Sequence, residues 1–403
     1  MTPLSIVGLV LVAAPLGLLA YAYAGYPVVL MALAAFKRAN GSRGEPTPSV
    51  ALPVGAAADA EWPEITITVP AYNEERSIGA TIENLLAADY PAAQRRILVV
   101  SDASSDGTDA IVSRYADRNV ELLRLPARGG KTAAENAAAR HVRSGLIVNT
   151  DASVRVRPDA LKPLVRAFAD ASVGVASGRD VSTGDEAREG NRAESGYVGY
   201  EMWVRALETR VSSIIGASGC FYAFRREVYQ PDFPAELSRD FASVLIAREH
   251  GYRAVSVDDA VCLVPRTISL QVEFRRKIRT MARGLATLWY KRALLNPWHY
   301  GAFAFMLASH KLVRWLFYAS LPLSVVGLVL LVPAYPAAVA VLIAALAGIA
   351  VGTMGLRWSR PKPPPRVIAL AGFAWGSALA GMLAWWEALR GRRRAVWEPT
   401  RRP

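Results

Sequence analysis

The sequence is poor in the residues that build disulfide-linked or metal-stabilised scaffolds. Its 403 residues include two cysteines, Cys220 and Cys262, which allow at most one disulfide, and four histidines without ligand-like spacing. A secreted disulfide-rich domain is therefore excluded. Charged residues make up only 20% of the chain against 52% hydrophobic residues, and the mean hydropathy is +0.20. That balance excludes a mainly disordered chain and is too apolar for an ordinary soluble enzyme.

The charge that is present is unevenly distributed. The chain has 47 Lys and Arg against 34 Asp and Glu, a net charge of +13. From Arg357 to Arg402 there are ten basic residues and only two acidic ones, Glu387 and Glu398, so +8 of that charge lies in the last stretch. Basic residues beside apolar segments predict contact with anionic membrane lipids, in preference to nucleic acid.

The first apolar run predicts an N-terminal transmembrane helix within residues 1–38. Residues 4–36 contain no charge and are followed by Lys37 and Arg38. The run exceeds the roughly 20 residues that a spanning helix needs. A signal peptide is disfavoured because the basic n-region is missing and the apolar part is too long. The positive-inside rule places the N-terminus outside and Lys37 in the cytoplasm.

Two further apolar stretches lie in the C-terminal part. Residues 315–356 contain no charge and are interrupted by a proline-containing break at 333–336, which predicts a transmembrane helical hairpin. Within the basic region 357–403, residues 367–386 form a third C-terminal membrane segment. If this segment spans, the cluster at 390–394 lies outside, against the charge rule. If it is re-entrant or interfacial, the tail stays inside, so three and four spans both remain open.

The residues between these membrane segments predict a cytoplasmic α/β domain over 63–285, preceded by a linker at 39–62 and followed by an amphipathic interfacial region at 286–314. β-branched runs at 65–69, 96–100, 120–125 and 145–149 predict strands, and Ala-rich patterns at 76–87, 107–117 and 131–143 predict helices. This alternation predicts βαβ units and a mostly parallel, Rossmann-like sheet. Ligands of such sheets bind beyond the carboxyl ends of the strands.

Polar residues follow three of these strands. Pro70, Tyr72 and Glu74 come after the first strand, Asp102 after the second and Asp151 after the fourth. A turn or a helix N-cap is the alternative explanation for any one of them, and for the polar residues at 104–108 in particular. Three acidic strand ends on one edge of a sheet predict a shared site.

This ordered set resembles the membrane-bound family 2 glycosyltransferases of the GT-A fold, in the branch of the poly-N-acetylglucosamine, chitin, hyaluronan and cellulose synthases. The resemblance covers about residues 65–285 and the flanking membrane segments. It implies a nucleotide-sugar donor, a UDP-sugar in particular. The segment from Pro70 to Glu74 would line the nucleoside pocket, with Tyr72 over the base, and Asp102 would accept from the uracil N–H. A core aromatic is the alternative for Tyr72.

The resemblance also implies phosphate and metal ligands. Gly129-Gly130-Lys131 resembles the Gly-Lys segment near the donor, although the P-loop spacing is missing and a solvated Lys131 is the alternative. Asp151-Ala152-Ser153 stands where the family has Asp-x-Asp, which would hold Mg²⁺ or Mn²⁺ against the donor diphosphate. Ser153 replaces the second carboxylate, which puts metal dependence in question.

The acceptor side and the catalytic base are implied farther along the chain. Gly216 and Gly219 lie in a segment that resembles the acceptor-side loop, where small residues let a sugar approach the backbone. Asp240 matches the second acid of the family's acidic pair, the catalytic base of an inverting reaction, and Arg239 replaces the first acid. An N-cap role for Asp240 is the alternative.

A basic segment resembles the Gln-x-x-Arg-Trp motif of processive synthases. Arg279 matches its arginine and would pair with diphosphate oxygens. Arg276 replaces the Gln and Thr280 replaces the Trp, which puts processivity in question. A basic helix face against anionic lipid is the alternative for residues 275–279.

Together these features predict an inverting hexosyltransferase in the cytoplasmic (inner) membrane, multi-pass, that extends a polysaccharide or glycan on the cytoplasmic face. Single-sugar transfer to a polyprenyl phosphate or other lipid is one alternative. A non-catalytic membrane subunit that binds nucleotide or polysaccharide is the other, motivated by Ser153, Arg239 and Arg276. Membrane lipids are expected partners and a second subunit for export is an option, whereas nucleic acid is not expected.

Overall fold

The computed structural model describes residues 2–40, 62–183, 189–229, 232–265, 270–358 and 364–391. The predicted linker at 39–62 lies outside the described residues except at its two ends. The part of the predicted basic tail beyond residue 391 lies outside them as well.

A mixed sheet forms the centre of the domain between the membrane segments. Its eight strands within the described residues are β1 Ile65–Ala71, β2 Arg95–Ser101, β3 Val120–Arg124, β4 Leu146–Thr150, β5 Arg155–Val156, β6 Val173–Thr183, β7 Phe221–Arg225 and β8 Arg253–Pro265. They are ordered β3-β2-β1-β4-β7-β6-β8-β5. The first four predicted strands are present, and β1 is parallel to both β2 and β4 as expected.

Strand β7 makes the sheet mixed, because it runs antiparallel to both β4 and β6. Thr150 at the end of β4 pairs with Phe221 at the start of β7. The segment that precedes β7 therefore reaches the same edge as the carboxyl ends of β1, β2 and β4. This reversal is what brings Gly219 to the edge where Asp151 lies.

Thirteen α-helices occur in the described residues. In chain order they are α1 Pro3–Ala20, α2 Tyr26–Ala39, α3 Ile78–Leu86, α4 Thr108–Ser113, α5 Lys131–His141, α6 Leu161–Arg166, α7 Glu189–Val211, α8 Arg239–Glu249, α9 Leu270–Tyr290, α10 Pro297–Leu307, α11 Arg314–Leu331, α12 Ala337–Leu356 and α13 Arg366–Leu389. Two π-helical segments, Tyr21–Gly25 and Ala308–Val313, join α1 to α2 and α10 to α11.

The sheet buries an apolar layer on each face. On one face, Ile67 and Val99 pack with helix residues such as Ile82. On the other, Phe224 belongs to a cluster that also contains Leu30 of α2 and residues of α10. The hydrophobic core of the domain is thus continuous with the helices of the membrane part.

Among the residues that the structure describes, four helical stretches are long and apolar enough to cross a membrane: Pro3–Ala39, Pro297–Leu331, Ala337–Leu356 and Arg366–Leu389. They make this chain a membrane protein, and they include both arms of the predicted hairpin.

The first arm of the hairpin is longer than the sequence predicts. Helical structure extends through the predicted interfacial region, from Pro297 to Leu331, with a kink at Gly301, where φ is 51°. Helix α9 crosses the predicted domain boundary at residue 285. His310 and Arg314, whose charges suggested an end to the apolar segment, are buried against carboxylates of α7. Both side chains pair with carboxylates of the protein, so their charges do not end the helical stretch.

Candidate active site

The loops after β1 and β2 are tied together at the carboxyl edge of the sheet. Asn73 and Ala103 adopt the left-handed backbone conformation, with φ of 54° and 56°. Asp106 accepts from the backbone N–H of Thr108 at 3.0 Å and from that of Glu75 at 3.1 Å. Asp106 therefore caps and braces this loop pair, which is the structural role considered for it.

The first-strand residues lie at this edge. Pro70 is within β1, and the ring of Tyr72 carries the Arg128 guanidinium at 3.8 Å from its centroid. Tyr72 is only half-buried, so its ring is not a core aromatic. The Glu74 carboxylate accepts from the Ser77 hydroxyl at 2.5 Å.

Asp102 holds the glycine-rich segment in place. Its two carboxylate oxygens accept from the backbone N–H groups of Gly129, at 2.7 Å, and Gly130, at 2.8 Å. Gly130 has φ of 88°, which a side chain would disfavour, and it immediately precedes α5. The Asp102 carboxylate thus holds the backbone that leads into α5, which begins at Lys131.

Lys131 connects the segment after β4 to the loop before β7. Its ammonium donates to Asp151 Oδ1 at 2.6 Å and to the carbonyl of Gly219 at 2.9 Å. Burial acts to lower the pKa of Lys131, but the carboxylates of Asp151 and Glu135 outweigh it and raise that pKa above its usual range. Lys131 is therefore cationic and is not the solvated lysine of the alternative interpretation.

Asp240 lies directly against this junction. It stands in the first turn of α8 and accepts from the Ser238 hydroxyl at 2.6 Å. A Cβ on Gly219 would come within 2.8 Å of Asp240 Oδ2, so the glycine permits the close approach. Contacts therefore link Asp102, Asp151 and Asp240 through the glycine-rich segment, Lys131 and Gly219, and the three acidic residues share one site.

Glu135 is a site residue that the sequence reasoning missed. It follows Lys131 by one turn of α5 and is buried, 3.4 Å from the Asn149 amide nitrogen. Burial raises the pKa of Glu135 to about 7, although Lys131 and Arg239 act to lower it. The four-residue spacing of Lys131 and Glu135 on a predicted helix is the signal that points to this carboxyl.

Arg239, which replaces the first acid of the family's pair, is buried below Asp240. Its guanidinium lies 4.2 Å from the ring centroid of Tyr229 and donates to Asn136 Oδ1 at 2.5 Å. The guanidinium also acts electrostatically on the Glu135 carboxyl. The arginine therefore occupies an aromatic and polar pocket within the domain.

Helix α9 brings to the site Arg283, an arginine that the sequence reasoning did not name. Arg276 pairs with Glu273 at 2.7 Å, and Arg279 lies one turn before Arg283. Arg283 donates to the Thr132 hydroxyl at 2.7 Å, next to Lys131. Thr280 is exposed, so it offers no buried platform in place of the family's Trp.

The metal-binding capacity of the site is small. The described residues contain no group of three His, Cys, Asp or Glu side chains placed to hold an ion. Asp151 gives Oδ1 to Lys131 and keeps Oδ2 without a hydrogen bond from any described residue. Its side chain is 20% exposed. One accessible carboxylate oxygen fits a hard divalent cation only if substrate phosphates supply further ligands.

Comparisons with known proteins bear on this arrangement. Residues 66–233 match the sequence profile of glycosyl transferase family 2. An N-acetylglucosaminyltransferase from Rhizobium sp. (strain N33) is 24% identical over 242 residues, 54% of this chain and 52% of that protein. The hyaluronan synthase of Streptococcus pyogenes is 29% identical over 220 residues, 51% of this chain and 49% of that protein. The chain thus spans about half the length of these curated relatives.

A solved structure extends the likeness to the whole fold. The mannosyltransferase PcManGT from Pyrobaculum calidifontis, in complex with GDP-Man and Mn²⁺, is similar with a TM-score of 0.66 and 22% identity. The match covers 95% of this chain and 100% of that one. The sheet topology and this likeness give the domain the GT-A fold. Residues 66–233 match glycosyl transferase family 2, and helices long and apolar enough to span a membrane flank this region.

Proposed function

We propose that this protein transfers a sugar, with inversion, from a nucleotide-sugar donor to a glycan acceptor held at the cytoplasmic face of the membrane. The observation that supports this most directly is the Lys131 junction, which joins Asp151 to Gly219 and so to Asp240. In this proposal Lys131 and Asp151 serve the donor, and Asp240 beside them acts on the acceptor.

In this proposal the donor lies over the carboxyl ends of β1, β2 and β4. Tyr72 covers the base and Glu74 accepts from sugar hydroxyls, while Asp102 orders the Gly129-Gly130 backbone in addition to facing the base. The Lys131 ammonium compensates negative charge on the donor diphosphate. A UDP-sugar is the proposed donor, supported by the resemblance to the hyaluronan and N-acetylglucosamine enzymes.

A divalent cation, Mg²⁺ or Mn²⁺, would be held by Asp151 and would neutralise the leaving nucleoside diphosphate when bound. The structurally similar PcManGT was solved with Mn²⁺, which supports testing that ion first. Ser153 contributes a hydroxyl where the family has a carboxylate, so we expect weaker retention of the ion than in a site with two carboxylates.

Asp240 is the proposed base. It would accept the proton of the acceptor hydroxyl while that oxygen forms its bond to the anomeric carbon. The bond from the anomeric carbon to the diphosphate breaks on the opposite face, and the electron pair leaves with the nucleotide.

Two acceptor classes remain candidates for the transfer. A growing polysaccharide agrees with the names of the relatives. One observation favours single addition to a lipid acceptor. An exposed Thr280 stands here in place of the Trp on which the resemblance would have an acceptor sugar stack. Separating the products by size tells these apart, because a ladder shows repeated addition and one band shows single transfer.

The test of the proposed function is a panel of nucleotide sugars with the purified full-length protein in lipid nanodiscs. UDP and GDP release is measured with Mg²⁺, with Mn²⁺ and with EDTA, together with transfer of labelled sugar to membrane extract. We expect one sugar nucleotide to be turned over in a metal-dependent way. Binding of nucleotide without turnover of any donor would favour the non-catalytic subunit.

A further inference from the structure

Lys311 extends from a membrane-spanning helix toward the acceptor-side loop of the catalytic domain. It lies in the π-helical segment Ala308–Val313, a distortion that is frequent at functional sites. Its ammonium nitrogen is 3.5 Å from the position that a Cβ on Gly216 would take and 5.6 Å from the ring centroid of Phe241. Phe241 directly follows Asp240. A cation from the membrane part of the chain therefore stands beside the proposed acceptor site.

The two carboxylates that act electrostatically on Lys311 do not pair with it. They belong to Glu201 and Glu208 of α7, and every one of their oxygens already has a partner. These partners are Arg314 and His310 for Glu201, and Tyr26, His310 and the Ile215 backbone N–H for Glu208. In the described part of the chain, no hydrogen bond joins either carboxylate to the Lys311 ammonium.

Positive charge exceeds negative charge at this junction. Arg205, Lys311 and Arg314 face the two carboxylates, which leaves an excess of one cation even if His310 is neutral. Arg205 of α7 has a buried Nη1 without a hydrogen-bond partner among the described residues, and its charge acts on Lys311. Burying uncompensated charge is costly, so the junction is suited to an anion.

We propose that Lys311 and Arg205 bind the phosphate group of a lipid-borne acceptor that enters from the bilayer. An ammonium and a guanidinium are the side chains that recognise phosphate. Lys311 belongs to a spanning helix, so the ligand reaches it from the membrane and lies next to the Gly216 segment. This inference rests on the proposed function and specifies its acceptor as a lipid phosphate or a sugar linked to lipid through phosphate.

The experiment measures equilibrium binding of a radiolabelled polyprenyl phosphate to the full-length protein in phosphatidylcholine nanodiscs, without donor. Lys311→Met should weaken binding at least tenfold, about 1.4 kcal/mol, and Lys311→Arg should restore it to within about threefold, because a charge-assisted hydrogen bond contributes this much. Polyprenol of the same length should bind at least tenfold more weakly than its phosphate, and inorganic phosphate should not displace the lipid at equal concentration.

Lys37→Met is the matched control. Lys37 is an exposed cation near the end of α2, so this variant measures how much a positive charge at the membrane surface attracts the anionic lipid without a specific site. An equal loss in Lys37→Met, unchanged binding in Lys311→Met, or equal affinity for polyprenol would overturn the proposal. Equal affinity for inorganic phosphate would overturn the lipid assignment. Because binding is measured without turnover, these outcomes are independent of whether the donor panel shows transfer.

Discussion

Lys131 donates to two segments that lie far apart in the chain, and this arrangement orders the site at the scale of single residues. Asp151 and the Gly219 carbonyl are held by one ammonium, and Asp240 packs directly behind Gly219. Asp102 acts indirectly, because its carboxylate accepts from the backbone N–H groups of Gly129 and Gly130, which precede Lys131. The proposed roles therefore separate into residues that place the donor and one residue that acts on the acceptor.

Asp240→Asn removes the proposed base and keeps the size of the side chain. We expect transfer to fall by roughly 10²- to 10⁴-fold, the usual contribution of a general base, with donor binding within about threefold of wild type. Initial rates and nucleotide titrations measure the two effects. Asp232→Asn is the control, because that carboxylate is 86% exposed on the same domain; wild-type turnover in Asp240→Asn would remove Asp240 from the mechanism.

Asp151→Asn keeps an acceptor for Lys131 and weakens the proposed cation ligand. The increase in donor affinity that Mn²⁺ produces should be largely lost, whereas affinity in EDTA should change little. Ser153→Asp should act in the opposite direction by supplying a second carboxylate. Calorimetric titration of donor with and without Mn²⁺ checks both. Identical Mn²⁺ effects in wild type and Asp151→Asn would exclude Asp151 as a metal ligand.

Glu135 makes the stability of the domain dependent on pH. Burial raises its pKa to about 7 in the folded protein from 4.5 in the unfolded chain. The folded state therefore binds the proton more tightly, and this stabilisation is lost as pH rises through 7. One pKa unit corresponds to about 1.4 kcal/mol. Glu135→Gln should consequently melt at a higher temperature than wild type at pH 8.5, with a smaller difference at pH 5.5.

Thermal unfolding of both proteins in the same detergent at the two pH values measures this difference. Glu121→Gln is a suitable control because Glu121 is 40% exposed and lies on β3, away from the site. A difference between Glu135→Gln and wild type that is the same at both pH values would contradict a raised pKa for Glu135.

At the scale of elements, the orientation of β7 and the start of α5 decide which residues meet. The antiparallel β7 presents its first residue at the carboxyl edge, so that the preceding glycine segment faces Asp151. Helix α5 begins at Lys131, directly after Gly130. Helix α9 adds Arg283, whose guanidinium reaches Thr132 and the Ala235 carbonyl.

Gly219→Ala tests the close approach between the β7 loop and α8. The added Cβ would lie 2.8 Å from Asp240 Oδ2, so the carboxylate must move. We expect turnover to fall about tenfold or more, since small displacements of catalytic groups are costly, without loss of folding. Gly145→Ala is the control, because a Cβ there meets open space. Equal rates in the two variants would show that Asp240 does not require this spacing.

At the scale of the whole molecule, the membrane helices and the catalytic domain form one packed unit. Helix α13 runs antiparallel to α11: Trp385 Nε1 donates to the Trp315 carbonyl at 2.8 Å, and Gly381 packs on Tyr318. Trp315 lies at the domain end of α11, where its ring meets Phe241 at 6.1 Å between centroids. The C-terminal end of α13 therefore lies on the side of the catalytic domain.

We expect an epitope tag after Pro403 to be accessible from the same side of the membrane as a tag inserted at the exposed Asp117 of the domain. Protease digestion of sealed spheroplasts and of inverted vesicles measures this, and both tags should be cleaved only in inverted vesicles. This placement satisfies the charge rule for the basic tail. Cleavage of the two tags from opposite sides would show that the C-terminal end of α13 lies on the side of the membrane away from the domain.

The sequence by itself determined the elements whose signals are local. Length and lack of charge identified the spanning segments, and the strand–helix alternation identified β1, β2 and β4. Because the carboxyl ends of parallel strands share an edge, it also placed Asp102 and Asp151 together. The resemblance then singled out Lys131, Gly219 and Asp240 as site residues whose roles stay predictions.

Only the tertiary structure decided which distant segments touch. Lys131 and Gly219 are 88 residues apart, and their contact depends on the reversed direction of β7, which no local pattern encodes. The burial of Glu135, the position of Lys311 beside the Gly216 segment and the contact of Arg283 with Thr132 likewise depend on how helices pack. Hydrophobic periodicity specifies an element and its buried face, whereas the partner of that face is selected by packing over the whole chain.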